Sequence, residues 1–128
     1  MGPERMKRIG FLINPIAGMG GPYDVIISCE SLEHDPFWNK TLHKIPELLC
    51  NGGLVVITAA GPNRPEHGTL KTNPTSSGTC KTEYGNHYRN IDRYDLFKEL
   101  KLFEDWDFEI KYERELWDVY LWAVKHGS

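Results

Sequence analysis

Long apolar runs are missing from this chain. No segment approaches the ~20 consecutive apolar residues that cross a bilayer, and the N-terminus shows no apolar core of a secretory leader. An excess of positive charge is missing too. The 15 Lys and Arg stand against 18 Asp and Glu, a formal net charge of −3, which excludes general attraction to nucleic acid or anionic membrane as a dominant mode of binding. The sequence therefore predicts no nucleic-acid partner and no membrane partner. Cysteine is scarce: Cys29, Cys50 and Cys80 are odd in number, widely spaced and without a Cys-x-x-Cys pair. That spacing predicts neither a disulfide framework nor a structural zinc site, but three free thiols, two of them buried, in a cytoplasmic protein. The histidines, His34, His43, His67, His87 and His126, show no His-Glu-x-x-His or comparable ligand spacing, so no metal is expected. A P-loop is excluded because Gly-Lys-Ser/Thr does not occur.

What is present suffices for one domain with one core: 128 residues, 40% of them hydrophobic. Five strand-like runs stand out. Arg8–Ile13 is short and apolar and ends at Asn14-Pro15, while Tyr23–Ser28 and Leu54–Thr58 are β-branched and nearly continuous, as strands buried on both faces are. Asp107–Tyr112 alternates, with Phe108, Ile110 and Tyr112 on one face, and Trp117–Val124 is apolar on both faces, as suits a central strand. A helix is predicted to open at Asp35-Pro36, with a stripe of Trp38, Leu42, Ile45 and Leu49 and a stop at Asn51-Gly52-Gly53. A second opens near Asp92, with Tyr94, Phe97 and Leu100 as its stripe and Lys98 and Lys101 near its end. Trp106, Trp117 and Trp122 read as core. Residues 61–90 are rich in Gly, Pro, Asn, Ser and Thr and lack periodicity, the composition of an exposed lid or a structureless loop.

The order of these segments carries a resemblance. YDVIISCESLEHDPFW resembles the fourth strand and following turn of class I S-adenosylmethionine-dependent methyltransferases. LLCNGGLVVITAAGP resembles that family's next strand, GPNRPEHGT the loop after it on the substrate side, and DFEIKYERELWDVYLWAVK the hairpin that ends its sheet. The resemblance covers roughly four-fifths of the chain and rests on the ordered set of segments. It implies a Rossmann-like three-layer α/β sandwich of about five strands, mostly parallel with a C-terminal antiparallel hairpin, and S-adenosylmethionine as cofactor. If Arg8–Ile13 replaces the family's first strand, it pairs parallel with Tyr23–Ser28. The sheet order is then the Arg8, Tyr23, Leu54, Trp117 and Phe108 strands.

The front of the chain departs from that family. About twenty residues precede Tyr23, too few for the intervening helix and strands, and no acidic strand-end residue stands where the family holds the cofactor ribose. KRIGFLINPIAGMGG instead resembles the opening strand and turn of archaeal-type NAD kinases. The expected organisation is one domain, with residues 1–21 a NAD-kinase-like strand and turn and residues 22–125 a methyltransferase-like half. Such a change of resemblance is what a recombined or engineered chimera would show.

The candidate site residues follow. Gly18 and Gly20 lie in a glycine turn after a strand, where backbone N–H groups either cradle an anionic cofactor group or simply connect two strands. Ser28, Cys29 and Glu30 end the Tyr23 strand at the carboxyl edge of the sheet, the edge that contacts the methionine part of the cofactor in the resembled family. They equally serve as the cap of a strand. Glu33 and His34 form a candidate catalytic pair, a carboxylate raising the basicity of an imidazole, or else Glu33 and Asp35 offset a helix dipole. His67, beside Glu66 in the long loop, is a candidate substrate contact if that loop closes. Function is read as a methyltransferase-like domain with impaired or absent catalysis and weak S-adenosylmethionine binding. The alternative is a chimeric α/β protein with no enzymatic function that forms a homodimer through the unprotected edge of its front strand.

Overall fold

The computed structural model describes residues 7–11, 22–69, 71–72 and 87–127. Its strands are β1 (Ile9–Phe11), β2 (Tyr23–Cys29), β3 (Leu49–Ala60), β4 (Trp106–Glu113) and β5 (Asp118–Lys125). A 3-10 turn at Leu32–His34 leads into α1 (Trp38–Leu48), and α2 (Arg93–Glu99) precedes β4. The five strands form one sheet in the order β1-β2-β3-β5-β4. β1 pairs parallel with β2 and β2 parallel with β3, whereas β5 is antiparallel to both β3 and β4. This is the order and pairing expected from the sequence. The segment that must carry the β1-to-β2 crossover, including Gly18 and Gly20, lies outside the described residues.

Local chemistry explains the helix starts. Asp35, fully buried, accepts from the Phe37 amide at 2.7 Å and from the Thr41 hydroxyl at 2.5 Å, which ties the entry of α1 to its first turn. At α2 the cap is reciprocal. Asp92 accepts from the Asp95 amide, and the Asp95 carboxylate accepts from the Asp92 amide, both at 2.9 Å. The far end of α1 is capped from a distance, since the Lys125 ammonium at the end of β5 donates to the Pro46 carbonyl at 2.6 Å and the Leu49 carbonyl at 3.1 Å.

One side of the sheet holds the core. Ile26, Val55, Ile57, Ala59, Val119, Leu121 and Ala123 are buried there. Leu42 and Ile45 of α1 pack in the same cluster, with Ile91, Leu96, Leu100 and Leu102 around α2. The alternate residues, including Val56, Thr58, Tyr120 and Trp122, line a shallow groove on the other face. Among the described residues, therefore, two of the expected layers are present, the sheet and one helical layer.

Several local expectations differ from the structure. The α1 helix ends at Leu48, and Asn51-Gly52-Gly53 lies inside β3. There Tyr23 stands opposite Leu49 but Val25 opposite Leu54, so β3 bulges. Gly52 has φ 77°, and a Cβ on Gly53 would lie 2.8 Å from the Leu49 side chain, so the pair serves a bulge rather than a helix stop. Of the expected α2 stripe, Leu100 is buried and Phe97 packs against the core, but Tyr94 is 66% exposed and Leu96 takes its place on the buried side. Trp122 is 42% exposed because it sits on the groove face. Of the thiols, Cys29 is exposed and Cys50 only half-buried, which overturns the expectation of two buried cysteines; Cys80 lies outside the described residues. No helix among the described residues is long and apolar enough to cross a membrane.

Adjacent residues of β5 test this one-sided core. Leu121→Ala is expected to cost about 2–5 kcal/mol in urea unfolding, the usual range for a buried leucine. Trp122→Thr, on the opposite face, is expected to cost much less. Equal losses would mean that both faces are packed.

Candidate functional site

β1, β2 and β3 are parallel, so their carboxyl ends open on one edge of the sheet, where open α/β sheets bind ligands. At this edge β2 ends in a sharp turn. Glu30 adopts φ 51°, a costly conformation for a side-chain-bearing residue, and its amide donates to the Thr58 carbonyl at 2.8 Å. Redirected in this way, the chain enters the 3-10 turn that carries Glu33 and His34.

Two further segments close over this turn. Gly61–Thr69 leaves β3 and is held by the amide of Gly61 on the Trp117 carbonyl at 2.8 Å, and by Arg64, which pairs with the nearly buried Asp118 at 2.6 Å. Residues 87–91 return across both turns. The Arg89 amide donates to the Glu33 carbonyl at 2.9 Å, and the Ile91 amide to the Ala60 carbonyl at 2.8 Å. The Asn90 side-chain amide bridges the Gly61 and Arg64 carbonyls at 2.7 and 2.8 Å, and the Tyr88 hydroxyl donates to the Pro65 carbonyl at 3.1 Å. Both ends of the 61–90 segment are thus ordered parts of the domain, not structureless loop; residues 73–86 lie outside the described residues.

Closure gathers Glu33, His34, His67 and Tyr88. The His34 and His67 rings meet edge to face at 5.1 Å, and Tyr88 lies 5.7 Å from His34 and 5.2 Å from His67. Gly68 makes the approach possible. It has φ 65°, and a Cβ there would stand 3.0 Å from the His34 ring. Glu33 is fully buried, and neither carboxylate oxygen has a hydrogen-bond partner among the described residues; its Oε1 lies 3.7 Å from His67 Nε2. The Nε2 of His87 is likewise buried without a hydrogen-bond partner.

Burial sets the protonation states. It pushes the Glu33 carboxyl up from 4.5 to about 8, helped by the neighbouring Glu30 carboxylate. It lowers His34, with the His67 charge acting in the same direction, so His34 is neutral at neutral pH. Tyr88 is pushed up to about 12, chiefly by burial and then by Glu33. These states differ from the expected pair. Glu33 faces His67 more directly, holds its own proton near neutrality, and does not make His34 more basic. Of the two acids considered for the helix dipole, Asp35 binds the Phe37 amide and the Thr41 hydroxyl at the entry of α1, while Glu33 lies in the preceding 3-10 turn.

The other predicted site residues separate. Ser28 is buried with its Oγ 3.4 Å from Ser31 Oγ, while Cys29 and Glu30 are exposed at the strand end. His67 does reach Glu33 and His34. Glu33, His34 and His67 each offer a ligand atom, and these atoms lie within 4.8 Å of one another, a metal-compatible grouping the sequence spacing did not predict. Tyr88, His87 and Gly68 were also missed; only Gly68, the glycine directly after His67, carried any local signal.

No family model and no curated protein matches this chain by sequence. Solved structures do match its fold. The plantazolicin methyltransferase BpumL, solved with SAH, superposes with TM-score 0.54 at 11% identity over 88% of this chain and 55% of that one. An S-adenosylmethionine-dependent methyltransferase from Clostridium acetobutylicum gives TM-score 0.52 at 12% identity over 86% of this chain and 61% of that one. TehB from Haemophilus influenzae gives 0.55 at 16% identity over 85% and 37%. The chain thus has a methyltransferase-like fold, and it spans between 37% and 61% of these three chains.

The Glu33 proton has a consequence for stability. The folded protein keeps it up to about pH 8, whereas an unfolded chain releases it near 4.5. Its contribution is therefore complete below pH 4.5 and is lost as pH rises through 8. In chelator-treated protein, the melting temperature of Glu33→Gln relative to the parent is expected to rise by a few degrees between pH 5 and pH 8.5. Parallel pH profiles for parent and variant would show that Glu33 does not titrate this way. Gly68→Ala, which crowds the His34 ring at a positive φ, is expected to lower the melting temperature at every pH.

Proposed function

We propose that this chain is a methyltransferase-like domain that keeps the acceptor side of the fold and holds S-adenosylmethionine weakly. The observation that carries the reading is the placement of Glu33, His34, His67 and Tyr88. They form a polar cluster at the carboxyl edge of a sheet in a chain whose fold resembles that of methyltransferase neighbours. Ser28, Cys29 and Glu30 supply the strand end on the methionine side of such a cofactor, with the exposed Glu30 carboxylate suited to an ammonium group.

The fit to the adenosine end is poor. No acidic residue occurs between Arg5 and Tyr23, so no carboxylate follows β1 to accept from a ribose hydroxyl pair. Each lost charged hydrogen bond costs about 1.5–3 kcal/mol, and two such losses amount to roughly a hundredfold or more in affinity. When bound, S-adenosylmethionine supplies an electrophilic methyl group that needs little covalent assistance from the protein. What this chain's residues contribute is a water-poor recess, a neutral imidazole at His34 and a phenol at Tyr88 that keeps its proton.

Calorimetric titration with S-adenosylmethionine and S-adenosylhomocysteine tests the reading. The expected dissociation constants are high micromolar or weaker, with no methyl transfer to small hydroxyl or amine acceptors. Tight binding abolished by Gly18→Val or Gly20→Val would overturn it in favour of a full enzyme. Titrations at several protein concentrations show whether a second chain completes the site.

A further inference from the structure

We propose that Glu33, His34 and His67 form a binding site for a divalent transition-metal ion of the zinc class. The inference stands on donor geometry and does not depend on methyl transfer or on cofactor binding.

The donor set is one carboxylate oxygen and two imidazole nitrogens, a combination that suits zinc and its first-row neighbours and not calcium or magnesium. Ligands that share such an ion at ~2.0–2.2 Å stand about 3–4 Å apart. The atoms here lie within 4.8 Å of one another, so a small rotation of side chains closes them onto an ion.

The second observation is the Glu33 carboxylate itself. Both oxygens are buried and neither has a hydrogen-bond donor among the described residues. A buried carboxyl group left without hydrogen-bond partners is costly in either protonation state, and one bound cation satisfies it. The turn itself is held through the backbone: the Glu33 carbonyl accepts from the Arg89 amide, and the His34 amide donates to the Ser31 carbonyl at 3.1 Å.

The third is the setting of His67. Its Nδ1 lies 3.3 Å from the Pro65 carbonyl. A proton held there leaves Nε2 as the free donor, and Nε2 is the atom nearest Glu33, at 3.7 Å. Ligating histidines are commonly oriented by such a bond from the other ring nitrogen. The Pro65 carbonyl is fixed in turn by Tyr88. The His67 side chain is 33% exposed, which gives the ion a way in from solvent. Three protein donors leave coordination positions for water or for an oxygen-bearing substrate.

The test uses the full chain stripped with EDTA and titrated calorimetrically with Zn2+, with Co2+ absorption in the visible as a second readout. The expected result is a single equivalent bound, with melting temperature rising as the ion is added. His67→Ala and Glu33→Gln are each expected to weaken binding at least about tenfold. His126→Ala, which removes an exposed histidine paired with Asp105 and Asp107, is expected to leave it unchanged. Melting curves without metal establish that each variant is folded, and Glu33→Gln, nearly isosteric, decides the matter if His67→Ala is not. Absence of stoichiometric binding, or binding that survives both site variants and disappears with His126→Ala, overturns the proposal.

Discussion

The candidate site depends on two backbone hydrogen bonds. The amides of Arg89 and Ile91 reach the carbonyls of Glu33 and Ala60, joining one returning strand of chain to the ends of both β2 and β3. Without them the 3-10 turn and the 61–69 segment are separate surface features. With them, Glu33 is sealed from solvent, His34 is pressed against Gly68, and Tyr88 is set against both imidazoles. Sealed in this way, the Glu33 carboxyl keeps its proton up to about pH 8.

The sheet was largely readable from the residues. Continuous β-branched runs marked β2 and β3, the alternation of Phe108, Ile110 and Tyr112 marked β4, and a strand apolar on both sides marked β5 as central. The place of the short β1 came from the methyltransferase resemblance, which put a front strand parallel beside β2. What misled was glycine. Gly52-Gly53 reads as a helix stop, but the same freedom from a Cβ serves a β-bulge equally well. Only the register between β2 and β3 separates the two. Tyr94 misled in another way. It sits at helical spacing with Phe97, yet α2 is so short that Leu96 and Leu100 bury its inner side and Tyr94 is left in solvent.

The site was half readable. Glu33 and His34 read as an adjacent pair and His67 as a separate residue of the long loop, from residue type and place after strands. Their mutual contact could not be seen, since it depends on the path taken by residues 61–69 and 87–91, and that path is set by long-range bonds such as Asn90 to Gly61 and Arg64 to Asp118. Protonation was equally hidden. Adjacent Glu and His suggest a charged carboxylate serving an imidazole, but burial reverses the roles and leaves both groups neutral near pH 7.

The position of β5 has a consequence for how the nascent chain acquires this structure. β5 is synthesised after β3 and β4, yet lies between them. Until it emerges, β3 has no partner on that side. Lys125, which caps α1 at Pro46 and Leu49, is also among the last described residues to be made. The β4–β5 pairing is local in sequence, so closing it costs little chain entropy. The central place in the sheet thus goes to a strand made late, and until it is made the bare side of β3 is an unpaired edge open to pairing with a strand of another chain.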